Sequence, residues 1–327
     1  MHVCFVCHEY PPDPHGGIGT ATQVLARALA ARGHAVSVVG VVPGRRQDEV
    51  GRDGGVHVVR LAEVGGRGVS VATSAVRLDR VLRQLHARAP IDVLEGPEAS
   101  FGLAPTGLPA LRVVRLHGGH AFFAHGAGVR PRPMRRWLER RSFARADAFC
   151  AVSAHVAAET CRLGALAGLA DAADIAVLPN AIDSVRFAPR PEAEVAGEIV
   201  SVGTLCPKKG GEALVQAFAL VAARQPHARL VLVGRDTPDA AHGTFGARLL
   251  ASVPPAVRGR ITLRGALAHD AVPEALARAQ CCVFPALAEA MGIATIEAMA
   301  MGRACVVSAL GPGRELVDDE RTGALRD

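Results

Sequence analysis

Short runs of β-branched and other apolar residues alternate, along the whole chain, with longer Ala, Leu and Arg segments of helical period. A run such as "AVSVVGVV", apolar at successive positions, fits a strand covered on both faces. Segments at 20–32, 69–88 and 133–146 repeat apolar positions every three or four residues and fit helices lying on such a sheet. The first half therefore predicts strands at "HVCFVC", "AVSVVGVV", "VHVVRL", "IDVLEG", "LRVVRLH", "DAFCAVS" and "IAVLPN". The alternation breaks at "AIDSVRFAPRPEAEVAGE", rich in proline and charge, and resumes at "IVSVGT", "RLVLVG", "RITLRG", "CCVFP" and "ACVVS". Two doubly wound α/β domains are expected, residues 1–188 and 198–327, joined by a linker at 189–197 and facing each other across a cleft.

In open α/β sheets ligands bind beyond the carboxyl ends of the strands, so the loops there carry the candidate chemistry. After the first strand, Gly16, Gly17 and Gly19 lead into a helix, and backbone amides at a helix start make an anion site. The loop from His8 is too long for a dinucleotide turn, and no acid ends the second strand; a glycine turn without a ligand stays open. "HGGHAFFAH" supplies His117, His120 and His125, but the segment reads as a loop with no supporting acid, so no metal is expected. His117, at a strand's end, points into the cleft or is an ordinary hydrogen-bonded loop residue. Lys208 and Lys209 are the only lysines, set between a strand and a helix where an ammonium suits a diphosphate; a solvated loop charge is the alternative.

In "ALAEAMGIATIEAMAM" two glutamates stand in an otherwise apolar stretch. The reading is a loop bearing Glu289, a turn near Gly292, and a helix with Glu297 one turn in, beside the amides of its N-terminus. Carboxylates accept from hydroxyls and amides donate to phosphate, which suits sugar hydroxyls and a diphosphate. The alternative is that both acids merely favour the helix dipole.

Composition narrows the class. The 327 residues, half of them apolar, suffice for two cores. No apolar run approaches the roughly 20 residues of a membrane span, and the N-terminus lacks signal-peptide features, so a cytoplasmic protein is expected. The eight cysteines sit in apolar runs and read as buried thiols; Cys4 and Cys7 form a weak C-x-x-C signal. The net charge of +6 comes from 37 basic residues, all but two of them arginine, and suits anionic partners; no nucleic-acid-binding signature accompanies it. Seven arginines between Arg130 and Arg145, interleaved with Met134, Trp137, Leu138 and Phe143, form either a contact with an anionic membrane at its inner face or a solvated basic face.

The spacing of Glu289 and Glu297, with seven residues between, resembles the E-x7-E signature of the GT4 family of retaining glycosyltransferases, which have the GT-B fold. "EYPPDPHGGIGTATQVLARALAARGHAVSVV", "RLHGGH", "VLPNAIDSVRFAP", "VGTLCPKKG" and "GPGRELVDDERTGAL" resemble further family blocks in family order, so the likeness spans nearly the whole chain. It implies transfer of a sugar from a UDP-, GDP- or ADP-sugar to a saccharide or lipid-linked acceptor, with retention and without metal or cofactor. Gly16 and Gly17 would approach the donor phosphates, His117 the transferred sugar and Lys209 the diphosphate. Glu289 would lie by the sugar, Glu297 on the ribose, Gly292, Ile293 and Ala294 by sugar or phosphate, and Gly265 by the base. Thr204 stands where members often carry an arginine on the diphosphate; with Gly234 it is counted in the donor site. Members usually continue past "TGAL" with helices, so a shortened second domain is expected. A phosphorylase would need a pyridoxal lysine and is disfavoured; a shortened relative that binds a nucleotide sugar or a partner without turnover is the alternative.

Overall fold

Among the described residues, eight strands form one sheet in the first part of the chain and six form another in the second. The computed structural model describes residues 1–65, 70–103 and 107–326. The chain divides into two units, Met1–Ala181 and Ile182–Asp327.

The first unit runs β1 (His2–Val6), α1 (Gly17–Ala31), β2 (Ala35–Val42), β3 (Glu49–Asp53), β4 (Val56–Ala62), α2 (Ser70–Arg88) and β5 (Val93–Gly96). It continues with β6 (Leu111–Leu116), α3 (His120–Gly126), α4 (Pro133–Phe143), β7 (Ala148–Ala151), α5 (Ala154–Arg162) and β8 (Ala176–Val177). The sheet order is β3-β4-β2-β1-β5-β6-β7-β8. Every pairing is parallel except β3 with β4. β1 is buried along its length, and Val3 and Phe5 pack with Val36, Val38, Val58 and Ala26 of α1. The order of strands reverses between β1 and β5, which makes that pair the switch point where loops can part to admit a ligand.

The predicted strands are all present; β3 is an addition. Its sequence, "EVGRD", is largely exposed and has no apolar run, and it pairs with β4 across Gly54 and Gly55, both at positive φ. An edge strand covered on neither face carries no hydrophobic pattern to read. Two helices also differ from expectation. α1 starts at Gly17 rather than Thr20, and the segment after His117, expected as a loop, is the helix α3. The helix expected at 69–88 is α2; Val69 lies outside the described residues.

The second unit runs β9 (Val195–Val202), α6 (Gly211–Arg224), β10 (Arg229–Val233), β11 (Pro238–Asp239), β12 (Gly243–Thr244), α7 (Phe245–Ala251) and α8 (Pro255–Arg258). Then come β13 (Ile261–Gly265), α9 (Val272–Ala277), β14 (Ala279–Phe284), α10 (Ile293–Ala300), β15 (Ala304–Ser308), α11 (Gly313–Leu316) and β16 (Ala324–Arg326). The sheet is ordered β13-β10-β9-β14-β15-β16, parallel throughout, and β11 with β12 makes a separate hairpin. Alternation along β10 sends Leu230 and Leu232 against Phe218 of α6 and Phe245 of α7. Val233 joins the opposite layer with Leu276, Ala298 and Met301. Here the switch point lies between β9 and β14.

The expected linker at 189–197 belongs to this second unit. Phe187 is buried in its core. The buried Arg303 guanidinium donates to the Glu194 carboxylate at 2.9 Å and to the Arg190 carbonyl at 3.3 Å. The Val195 amide donates to the Arg278 carbonyl, and β9 begins at that residue. The boundary therefore falls some residues earlier than the proline-rich composition indicates, because a guanidinium and an aromatic ring anchor that irregular stretch.

At the second switch point Gly210 has φ 70°, and a Cβ built there would lie 1.9 Å from the Pro285 carbonyl oxygen. The backbones following β9 and β14 touch at this residue. Gly210→Ala adds both a left-handed strain and a clash with backbone, so it should destabilise the protein by about 2 kcal/mol or more. A fall in the urea midpoint measures this; an unchanged midpoint contradicts the close approach.

Candidate active site

In the second unit the loops after β9, β10, β13 and β14 lie side by side at the carboxyl edge of the sheet. The Gly203 amide donates to the Val233 carbonyl at 2.8 Å and the Gly234 amide to the Gly265 carbonyl at 2.9 Å, so Thr204, Gly234 and Gly265 are neighbours. Beyond Thr204 a 3-10 turn, Pro207–Lys209, leads into α6. The Lys208 carbonyl accepts from the Leu287 amide at 2.9 Å, which ties this turn to the loop after β14. Across that tie the Lys209 ammonium donates to the Glu289 carboxylate in a half-buried ion pair. Glu289 also accepts from the Ala290 amide at 3.1 Å. The Lys208 ammonium is disfavoured by burial and then by the charge of Lys209, which lower its pKa.

Gly292 precedes α10, whose first-turn amides at Ile293 and Ala294 have no intrahelical acceptor and point out of its N-terminus. Glu297 was expected beside those amides. It lies one turn into α10, is 4% exposed, and stands 2.9 Å from Nε2 of His269, whose N–H donates to it. The other ring nitrogen of His269 lies 3.1 Å from the Arg186 guanidinium and accepts from it, and Arg186 pairs with Asp270 at 2.8 Å. This chain fixes the tautomer of His269 and orients Glu297. Arg186 and His269 had no signal in the sequence, since a single histidine in "RGALAHD" is indistinguishable from a solvated one.

In the first unit Gly16 caps α1 and Gly17 opens it. The Gly19 amide at this N-terminus donates to Oε1 of Glu9 at 2.9 Å, so a carboxylate of the same chain stands where an anion was expected. His117, at the end of β6, is 8% exposed. Burial, and then the neighbouring charge of Arg115, push its imidazole down to about 3, which leaves it neutral at ordinary pH. With Thr22, Glu95, Arg115 and Asn180 it lines a cavity of about 280 Å³. Arg115 and Glu95 are paired there at 2.7 Å.

The expectation that no acid supports the histidine segment is corrected. Oε1 of Glu98, from the loop after β5, accepts from the His117 amide at 2.5 Å. The Glu139 carboxylate, from α4, accepts from the His120 amide and, at 3.2 Å, from the Ala121 amide. The acids hold backbone rather than imidazole. The three histidines go separate ways: His120 Nε2 accepts from the Arg132 amide at 2.8 Å, and His125 Nε2 lies 2.8 Å from the Arg162 guanidinium. Cys4 and Cys7 are both buried, which pushes their thiols up to about 12 and about 11. On α4, Glu139, Ser142 and Phe143 face inward, while Arg136, Trp137, Arg140 and Arg141 line an outer groove of about 720 Å³. The Arg141 guanidinium lies 5.2 Å from the centre of the Trp137 ring.

A family model described as Glycosyltransferase Family 4 matches residues 15–186, and one described as Glycosyl transferases group 1 matches residues 196–327. The chain belongs to the family 4 glycosyltransferases. It is 26% identical to a GDP-mannose-dependent alpha-(1-6)-phosphatidylinositol monomannoside mannosyltransferase of Mycobacterium tuberculosis, over 99% of this chain and 85% of that one. It is 27% identical to the alpha-maltose-1-phosphate synthase of Mycolicibacterium smegmatis, over 99% and 84%. Among solved structures it resembles the sucrose-phosphate synthase of Thermosynechococcus elongatus, with a TM-score of 0.80 and 20% identity over 99% of this chain and 85% of that chain. Anabaena HepE in complex with UDP and glucose gives 0.75 at 17% identity, over 99% and 85%. These likenesses establish the GT-B fold, and membership makes this protein a glycosyltransferase, as its sequence blocks indicated.

The neutral state of His117 has a stability consequence in this family member. Its folded value lies below the ordinary 6.5. The associated stability is therefore complete above about 6.5 and is lost as pH falls toward 3. The unfolding free energy of the native protein relative to His117→Gln should shrink by about 3 kcal/mol between pH 7 and pH 4. A pH-independent difference would mean that the imidazole is not held neutral by burial.

Proposed function

We propose that the second unit holds a nucleotide-diphosphate sugar and that the enzyme transfers its sugar, with retention of configuration and without a metal ion or other cofactor, to a saccharide or lipid-linked acceptor. The observation that carries this reading is the Lys209–Glu289 pair at the β9–β14 switch point, beside the free amides that open α10. A diphosphate competes with Glu289 for the Lys209 ammonium. Lysine and amides then stabilise charge as it develops on the departing diphosphate, in place of a metal. Glu289, released from its ion pair, accepts a hydroxyl of the sugar, and Glu297, oriented by His269, accepts from the ribose. His117 serves the transferred sugar as a neutral hydrogen-bonding group.

In the chemical step the bond from the anomeric carbon to the diphosphate oxygen breaks, and a bond to the acceptor oxygen forms on the same face. The acceptor proton passes to the leaving phosphate oxygen. Family membership supports retention, since the chain carries the E-x7-E pair of a family that is generally retaining. One relative is GDP-mannose-dependent and one structural neighbour holds UDP and glucose, so the base is a matter for experiment. The exposed arginines and Trp137 on α4 suit a peripheral contact with an anionic membrane. Among the described residues no helix is long and apolar enough to cross one.

Release of nucleoside diphosphate from UDP-glucose, GDP-mannose and ADP-glucose, with thermal shift measured in parallel, tests the assignment. Lys209→Ala should lower turnover by about 100-fold or more. Glu289→Gln should lower turnover without weakening nucleotide binding, since it frees the Lys209 ammonium, and Glu297→Gln should weaken nucleotide binding by about tenfold. NMR of the product anomer should show the donor's configuration; an inverted product overturns the mechanism. A thermal shift without turnover would make the protein a nucleotide-sugar-binding module instead. Loss of binding to anionic vesicles on raising salt, absent with neutral vesicles, checks the membrane contact.

A further inference from the structure

Two buried acids of the first unit remain without a part in this scheme. Glu98 and Glu139 are 5% and 4% exposed, and both direct their carboxyl groups at the backbone of residues 117–121. Both crowd one face of Gly119: a Cβ built on it would lie 2.5 Å from Oε1 of Glu139 and 2.9 Å from Cγ of Glu98. The supports of the two acids are joined. The Phe101 amide, three residues after Glu98, donates to Ser142 Oγ of α4 at 3.0 Å, and the Arg145 guanidinium donates to the Phe101 carbonyl at 2.8 Å. Helix α4 thus holds the segment after His117 directly through Glu139 and indirectly through the Glu98 loop.

We infer that Glu98 and Glu139 are positioning residues for sugar transfer, clamping the backbone from His117 to Ala121 so that the imidazole is held in one orientation. His117 stands where its strand has just ended, so the direction of its buried ring depends on its own amide and the turn that follows as well as on the side chains packed around it. The two carboxyl groups supply that restraint, both crowding the face of Gly119 where a Cβ would stand. Neither is a catalytic residue, since each acts through backbone. The inference rests on the reading of His117 as the residue serving the transferred sugar.

The clamp has a titration of its own. Burial, with the nearby charge of Glu139 adding to it, pushes Glu98 up to about 7 against the amides of Glu98, His117 and Gly118 that favour the carboxylate. Burial also raises Glu139, opposed by the amides of His120 and Ala121 and by Arg135 on α4. His117 and its neighbour Arg115 hold their charge states through this range, His117 neutral above about 3 and Arg115 cationic. An ionised Glu98 accepts the His117 amide more strongly than a protonated one. The clamp therefore tightens as pH rises through about 7.

The test is nucleoside diphosphate release from UDP-glucose, GDP-mannose and ADP-glucose by the full chain, between pH 6 and pH 8, with thermal melts confirming folding. For the donor that turns over, kcat of the native protein should rise with a midpoint near 7. Glu98→Gln, which mimics the protonated acid, should stay flat at the native low-pH level, and Glu139→Gln should lower kcat while KM for the donor holds. Glu98→Ala should lower kcat by about 10 to 100-fold. Because the clamp acts through the imidazole, Glu98→Gln should add no further loss on a His117→Ala background. Native kcat and an unchanged inflection in Glu98→Gln, or fully additive losses in the double variant, would overturn the clamp. If His117→Ala alone leaves turnover intact, the reading of His117 fails and the clamp fails with it.

Discussion

β9 lies between β10 and β14, so the strand that opens the second unit is hydrogen-bonded to one that follows it by some 80 residues, as in the Cys281–Ile199 register. Parallel pairing requires both chains to end at the same edge, and reversal of strand order there forces their loops apart on either side. Everything the unit can do to an anion follows from that pairing. It sets Lys209 opposite Glu289, joins the Lys208 carbonyl to the Leu287 amide, and brings the start of α10 beside the turn before α6. The 1.9 Å approach that a Cβ on Gly210 would make to Pro285 shows how little room the junction leaves for any residue but glycine.

Charge is used in two distinct ways. Arginines act as structural ties: the Arg260 guanidinium donates to the Ala222, Gln225 and Ala228 carbonyls, Arg303 joins Glu194 and the Arg190 carbonyl, and Arg115 pairs with Glu95 in a cavity wall. A planar guanidinium with five donors satisfies several acceptors at once and stays charged when buried. The two lysines stand together at the switch point, where a compact ammonium can exchange one anionic partner for another. The ion pair with Glu289 is half-buried, so it holds both groups in place without the desolvation cost that a fully buried pair carries.

The first unit orders its site by backbone. Glu9 accepts from the start of α1, Glu98 from the His117 amide, and Glu139 from the first amides of α3. Each carboxyl group meets amides that a strand or helix end leaves without partners, which is the same physics as helix capping applied to a loop. The result is a neutral, buried His117 on a strand end whose following turn is restrained by two carboxyl groups.

Much of this was legible in the one-dimensional pattern. Repeated βα units, the strands of both sheets other than β3 and β16, and the GT-B assignment follow from hydrophobic period and block order, because burial on both faces of a parallel sheet imprints itself on its inner strands. The positions of Thr204, Gly234 and Glu289 in loops that follow strands were legible for the same reason, since strand ends share one edge. The sequence alone left no trace of β3, which is covered on neither face, and it misplaced the domain boundary, because Phe187 and Arg303 anchor a stretch whose composition reads as linker. It was silent, too, on which partner each charged group takes. Glu139 is one acid among arginines in the sequence, Glu98 one acid in a turn, His269 one histidine before an aspartate; pairings separated by 18 to 28 residues, as of Glu139 with Ala121 and His269 with Glu297, exist only once the sheet has brought their loops together. Local pattern determined the elements and their order, while the tertiary structure decided the partners, since a hydrogen bond depends on distance in space and not on distance along the chain.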